Sequence, residues 1–262
     1  VATEHLITRL STTPVKGLRL HHPDAVELTP SGAAGDRRFY LVDEAGTVQS
    51  CTRNQGLYEL SASWEESSRR LEVRRGDDVV AAGVIERDRP VATDMSGLRT
   101  LEADTVTDPM WGELFSEAVG RRVRLVQARD SAYDVAPVTL LGSASVRELA
   151  DRAGLDGVDA RRFRMLIDFS SEDPHVEDGW DGRRLRVGGA VLSCEGPVKR
   201  CAATTRHPDS GESDLQTLRL IKGYRGRQPS ILGLGANFGI YARVIEAGPI
   251  AVGDRLVVDE VA

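Results

Sequence analysis

With 262 residues the chain can bury a sizeable core, as one large domain or two packed smaller ones. Hydrophobic content of 40% and charged content of 28% are those of a globular protein. A net charge of −6 and only 5% aromatics exclude a basic stripe or stacking platform for nucleic acid, so no nucleic-acid partner is expected.

In chain order, Phe39–Val42 and 47–49 flank a polar, Gly-closed turn at 43–46 and predict a hairpin. Residues 71–74 alternate as a strand. A first helix is predicted over 109–119: Asp108 caps it, Pro109 suits its first position, and Gly120 ends it. A second is predicted over 146–153, with Ser145 and Glu148 at capping-box spacing and Gly154 as the stop. Strands follow at 164–169, 185–187, 190–192 and 240–245, and 248–258 has the form of a tight turn feeding a last strand. The density of short strands predicts a mainly β protein with two barrel-like units and a few short helices. The charged, turn-rich stretch 86–107 is the expected junction, giving units at 1–95 and 96–262.

No apolar run approaches the ~18 residues of a membrane span, and the first residues lack a basic region leading into an apolar core. Three scattered cysteines, Cys51, Cys194 and Cys201, cannot build a disulfide framework, and a cytoplasmic location without a membrane partner is expected.

Cys201 stands out. It follows Lys199 and Arg200 and precedes Pro208-Asp209-Ser210-Gly211, and neighbouring cations favour the thiolate, which is the nucleophilic and metal-binding form. The competing reading is a buried Cys acting as a small apolar residue. Phosphate-loop, dinucleotide-loop and His-Glu-x-x-His patterns are absent, and no Cys-x-x-Cys pair offers a zinc site. The Gly233-Leu234-Gly235 run precedes a strand-like segment, so it reads as a close-approach loop. Lys16, Arg37, Arg38 and Arg164 sit at loops or strand ends, where each pairs with a carboxylate or an anionic ligand.

Together these runs resemble the MOSC (molybdenum cofactor sulfurase C-terminal) domain superfamily, in its two-part members of the mitochondrial amidoxime-reducing type. Pro14-Val15-Lys16-Gly17 is similar to the opening Pro-Val-Lys-Ser run of that family, and Asp36-Arg37-Arg38-Phe39 to its Asp-Arg-Arg-aromatic strand. Arg200-Cys201-Ala202-Ala203-Thr204-Thr205 with Pro208-Asp209-Ser210-Gly211 resembles its central signature. The resemblance implies an N-terminal β-barrel unit, a MOSC barrel, and molybdenum cofactor (molybdopterin) binding, with Cys201 ligating the metal. By the same resemblance Lys16, Arg38 and Arg164 hold the pterin phosphate, Arg200 favours the thiolate, and Asp209 is a candidate proton donor. Pyridoxal phosphate binding is not expected. Three positions depart from the family: Gly17 stands where a hydroxyl is usual, Ala136 where a small polar residue is usual, and Met165-Leu166 where Pro-Asn is usual. Each departure removes a hydrogen bond to the cofactor.

Two enzymatic readings follow from the resemblance. One is a reductase of N-hydroxylated small molecules, fed by a separate electron-donor protein because no Cys-rich ferredoxin-type segment is present. The other is a sulfurtransferase in which Cys201 carries a persulfide received from a sulfur donor. A non-catalytic cofactor carrier is the third reading.

Overall fold

The computed structural model describes residues 4–95 and 97–259. The fold is mainly β, built around a closed seven-stranded barrel. Its strands are β1 (Glu4–Leu10), β2 (Val138–Gly142), β3 (Ile167–Phe169), β4 (Arg184–Val187), β5 (Ala190–Lys199), β6 (Asn237–Glu246) and β7 (Arg255–Val258). They close in the order β1-β3-β2-β6-β5-β4-β7, with His5 opposite Leu256 at the seam. Alternation drives the closure. Leu185 and Val187, or Leu256 and Val258, point inward while their neighbours face out, and the inward set packs with Ile7, Leu10, Ile167, Phe169, Leu192, Cys194 and Ile240.

The β2–β3 pair is parallel, Leu140 opposite Ile167, and parallel strands need a long crossover. A helix, α2 (Ser143–Ala153), supplies it. The 164–169 strand is shorter than expected because Arg164 adopts a left-handed φ of 54°, closing a 3-10 turn over Ala160–Phe163.

The remaining strands form open sheets. Phe39–Val42, Arg124–Ala128, Thr100–Val106 and Arg87–Asp94 make one, and Leu60–Glu65, Arg70–Arg75 and Asp78–Val84 another. Helix α1 (Pro109–Val119) lays Trp111 and Phe115 onto Leu41, Leu71, Val73 and Leu125. Its ends are as expected: Met110 N donates to Asp108 at 2.9 Å, and Gly120 takes φ 72°. Strand pairing crosses residue 95 in both directions. Glu4–Leu10 belongs to the barrel, Ala25–Thr29 pairs with Gly248–Ala251, and Arg124–Ala128 pairs with Phe39–Val42. The 86–107 stretch is itself a hairpin of the four-stranded sheet.

Helix α2 begins three residues before the expected start, and Ser145 does not cap it. Ser145 Oγ donates to Glu177 Oε1 at 2.9 Å and accepts from His175 N at 2.8 Å. Acceptors from distant segments satisfy the helix start instead: Ala144 N donates to Ser171 Oγ at 2.9 Å, and Gly142 N to Glu177 Oε1 at 3.5 Å. A third helix, α3 (Thr217–Arg225), was not expected from the sequence; Gly223 interrupts its pattern, yet Ile221 packs with Leu149, Phe163 and Phe238.

Burial pushes the Glu177 carboxyl above its usual range. The unfolded chain therefore ionises this group first as pH rises. Its cost to folding is absent below the unfolded value of about 4.3, grows as pH climbs towards the folded value, and is full above that. Glu177→Gln keeps an acceptor for Ser145 without the charge. Its melting temperature relative to wild type is expected to rise between pH 4 and pH 8; parallel melting curves contradict this assignment.

Candidate functional site

A cleft of about 410 Å3 opens where the 43–53 loop, with Met95 and Leu98, meets one end of the barrel. Cys201, Lys16, Arg164 and Arg200 all line it, although they come from widely separated stretches of chain. The protein is acidic overall, yet Lys16, Arg37, Arg53, Arg121, Arg164 and Arg200 face this one cavity against Asp43 and Asp134. Arg162 also reaches the wall, with its charge engaged by Asp214 at 3.0 Å.

Strand β5 explains how Cys201 and Cys194 differ. Cys194 points into the barrel, where burial pushes its thiol up to about 12. The chain leaves the strand after Lys199, and Cys201 stands exposed before the 3-10 turn Ala202–Thr205. Thr204 N and Oγ1 hold the Cys201 carbonyl at 3.2 and 3.0 Å, while Thr52 Oγ1 lies 3.8 Å from the sulfur. Arg206 ties the two loops together by donating to Thr52 O at 3.0 Å and Gly211 O at 2.6 Å. Gly211 (φ 69°) lies flat on Tyr58, where a Cβ would come within 2.7 Å of the ring. Cys51, buried beside Tyr58 and Ala203, lines the same cleft.

The cations differ in what already holds them. Lys16 Nζ donates to Ala132 O and to Asp134 Oδ1, each at 2.7 Å, and this ammonium holds the Asp134 carboxyl below its usual range. Arg164 donates to Leu18 O at 2.6 Å and lies 6.0 Å from the Tyr58 ring. Arg200 donates to Phe163 O and, at 3.3 Å, to Met165 Sδ; its buried Nε has no acceptor. Burial lowers the Arg200 pKa, but a guanidinium remains charged at any physiological pH.

Two expected site residues stand apart from the cleft. Arg38 does not line it; it lies 3.6 Å from Glu66 and donates through Nε to the Gln127 amide oxygen at 3.0 Å. Arg37 is the residue that lines the cleft. It sits at φ 48°, pairs with Asp36 and donates to Arg164 O at 3.4 Å. Asp209 is clamped by Arg161 at 2.7 and 2.9 Å, which holds its carboxyl below the usual range and makes it a poor acid.

Arg53, Arg121, Asp134 and Tyr241 also line the cleft, without a motif in the sequence to mark them. Tyr241 lines the cleft with its phenol pushed up to about 12 by burial, so it keeps its proton. Of the departures from the family pattern, Gly17, Ala136 and Met165 line the cleft, whereas Leu166 is packed in the barrel core.

Comparison with known proteins bears on this arrangement. The molybdenum cofactor sulfurase of Oryza sativa subsp. japonica is 25% identical over 256 residues, covering 84% of this chain and 31% of that protein. The molybdenum cofactor sulfurase of Solanum lycopersicum is 24% identical over 287 residues, covering 92% and 34%. The chain thus spans about a third of the length of these curated relatives. The crystal structure of the YuaD protein from Bacillus subtilis aligns over 100% of this chain and 99% of its own, with 13% identity and a TM-score of 0.45. The MOSC domain itself matches residues 127–257, from the strand Arg124–Ala128 to the last strand of the barrel. The chain belongs to the MOSC domain family.

Proposed function

We propose that the cleft binds the molybdenum cofactor, with Cys201 as the protein thiolate at molybdenum, and that the protein reduces N-hydroxylated small molecules using electrons from a separate donor protein. One observation carries this reading: a single exposed thiol at a cleft that concentrates positive charge in an acidic protein. The volume falls in the range of small-molecule sites. The residues present fit the group. A soft thiolate suits a soft, redox-active metal, and guanidinium groups suit a phosphate through charge-assisted hydrogen bonds. Arg53, Arg121, Arg164 and Arg200 have no carboxylate partner among the described residues, and the unpaired Arg200 Nε is a donor in want of an acceptor. When bound, the cofactor supplies two-electron redox chemistry.

The chain's own residues have simpler tasks. The guanidinium groups bind and orient the anionic end, and the neutral Tyr241 hydroxyl is available as a donor. Fluorescence of oxidised pterin, measured on protein from a cofactor-producing host, tests the cation assignment. The double variant Arg121→Gln/Arg164→Gln is expected to retain at least about tenfold less pterin than wild type, and equal retention contradicts the reading.

A second reading is favoured by the apolar character of Gly17, Ala136 and Met165 and by relatives named molybdenum cofactor sulfurase. Here Cys201 carries a persulfide and passes its outer sulfur to a cofactor or small-molecule acceptor. Cyanide-labile sulfur on Cys201 in active, metal-free protein distinguishes this reading from the first.

A further inference from the structure

Arg164 also lines a second and much smaller cavity. It holds about 10 Å3, room for one water molecule or one monoatomic ion. Arg19, His22, Tyr58, Arg161, Arg162 and Arg164 form most of its wall, and no Asp or Glu side chain lines it. Four arginines thus line a space of this size.

Their charge is only partly offset. Asp159 and Asp209 hold Arg161 at 2.6 and 2.7 Å, and Asp214 holds Arg162 at 3.0 Å. Arg19 and Arg164 have no carboxylate partner among the described residues; their guanidinium groups donate to the backbone oxygens of Asp209, at 2.8 Å, and Leu18, at 2.6 Å. Arg19 Nε and Arg162 Nε are both buried without an acceptor. A buried donor left unpaired costs roughly 1–3 kcal/mol, and the half-buried Arg19 and Arg164 favour a nearby counter-charge.

We propose that this cavity binds a single small monovalent anion of the halide class, chloride being the common example. A water molecule could satisfy the two Nε donors, but it offsets none of the charge. Phosphate, sulfate and carboxylates are too large for the space. His22 supports the site from one side, its Nδ1 lying 3.1 Å from Ser11 Oγ and 3.3 Å from Leu10 O. Burial, with the Arg9 and Arg161 charges, lowers the His22 pKa, so the imidazole reports the local charge. The anion would sit between Arg164 and the Arg19 loop, bracing one wall of the larger cleft. This inference stands whatever the cleft itself binds.

Three measurements on the full chain test it. Crystals grown in bromide are expected to show an anomalous peak in this cavity, within hydrogen-bonding reach of Arg19 and Arg162. Exchanging gluconate for chloride at constant ionic strength should raise the melting temperature saturably, by about 2–4 °C. The same exchange should raise the NMR-measured His22 pKa, and Arg19→Gln should remove both responses. If that variant does not fold, the wild-type bromide and His22 measurements decide alone. An ordered water with no anomalous signal, a bromide found elsewhere as an adventitious ion only, or melting and His22 titration indifferent to halide would each overturn the proposal.

Discussion

Cys201→Ser is expected to lower kcat/KM for the cofactor-dependent reaction at least a hundredfold while leaving the melting temperature within about 2 °C of wild type. The two halves of this result have separate causes. Cys201 is exposed, so serine forfeits almost no packing. A hydroxyl, however, is hard and stays protonated at neutral pH, and it replaces neither a metal-ligating thiolate nor a persulfide carrier. The other cysteines supply the contrast. Cys194→Ala should cost about 1–2 kcal/mol of stability through its barrel contacts and leave the chemistry intact in the folded protein. Steady-state kinetics with thermal melts separates these cases, and an equal catalytic loss in folded Cys51→Ala would contradict the assignment.

Gly239→Ala is expected to cost about 3 kcal/mol, seen as a fall of roughly 6–10 °C in melting temperature. Gly239 lies in β6 at φ 86°, a left-handed conformation that a Cβ disfavours. The same Cβ would stand 2.7 Å from the Leu140 carbonyl oxygen and press on Met165 Cε. The methionine could shift, but the carbonyl belongs to the barrel ladder and cannot. Here φ and sterics act together on the strand that pairs with both β2 and β5. A melting temperature within 2 °C of wild type would show that the strand tolerates a Cβ at this position.

Local signals in the sequence were read well where they act locally. Asp108, Pro109 and Gly120 bound α1 through contacts within one or two turns, so no distant residue could overrule them. Helix α2 shows the opposite case. Ser145 and Glu148 have capping-box spacing, but Glu177 and Ser171 arrive from beyond β3 and offer better-placed acceptors, so the helix starts earlier. The charged, turn-rich 86–107 stretch forms a hairpin of the four-stranded sheet.

The site was legible as a set of residue types more than as a geometry. Lys16, Arg164 and Cys201 share a cleft, whereas Arg38, expected with them, does not line it. Choosing between Arg37 and Arg38 required the fold, since Arg37 takes a left-handed φ of 48° in the turn that precedes the strand Phe39–Val42. Asp209 looked available because of its place in the motif, and only the fold brings Arg161 against it. Arg53 and Arg121 carried no sequence signal, because an exposed arginine in a polar loop resembles any other until the loop is placed.

The central claim is that this cleft holds a molybdenum-bearing pterin through Cys201. Molybdenum content by elemental analysis, with pterin fluorescence on the same sample, tests it most directly in protein freshly purified from a cofactor-producing host. The expected result is close to one molybdenum and one pterin per chain in wild type, with the metal lost or loosely held in Cys201→Ser. Wild-type protein that is fully active yet contains neither molybdenum nor pterin would contradict the claim.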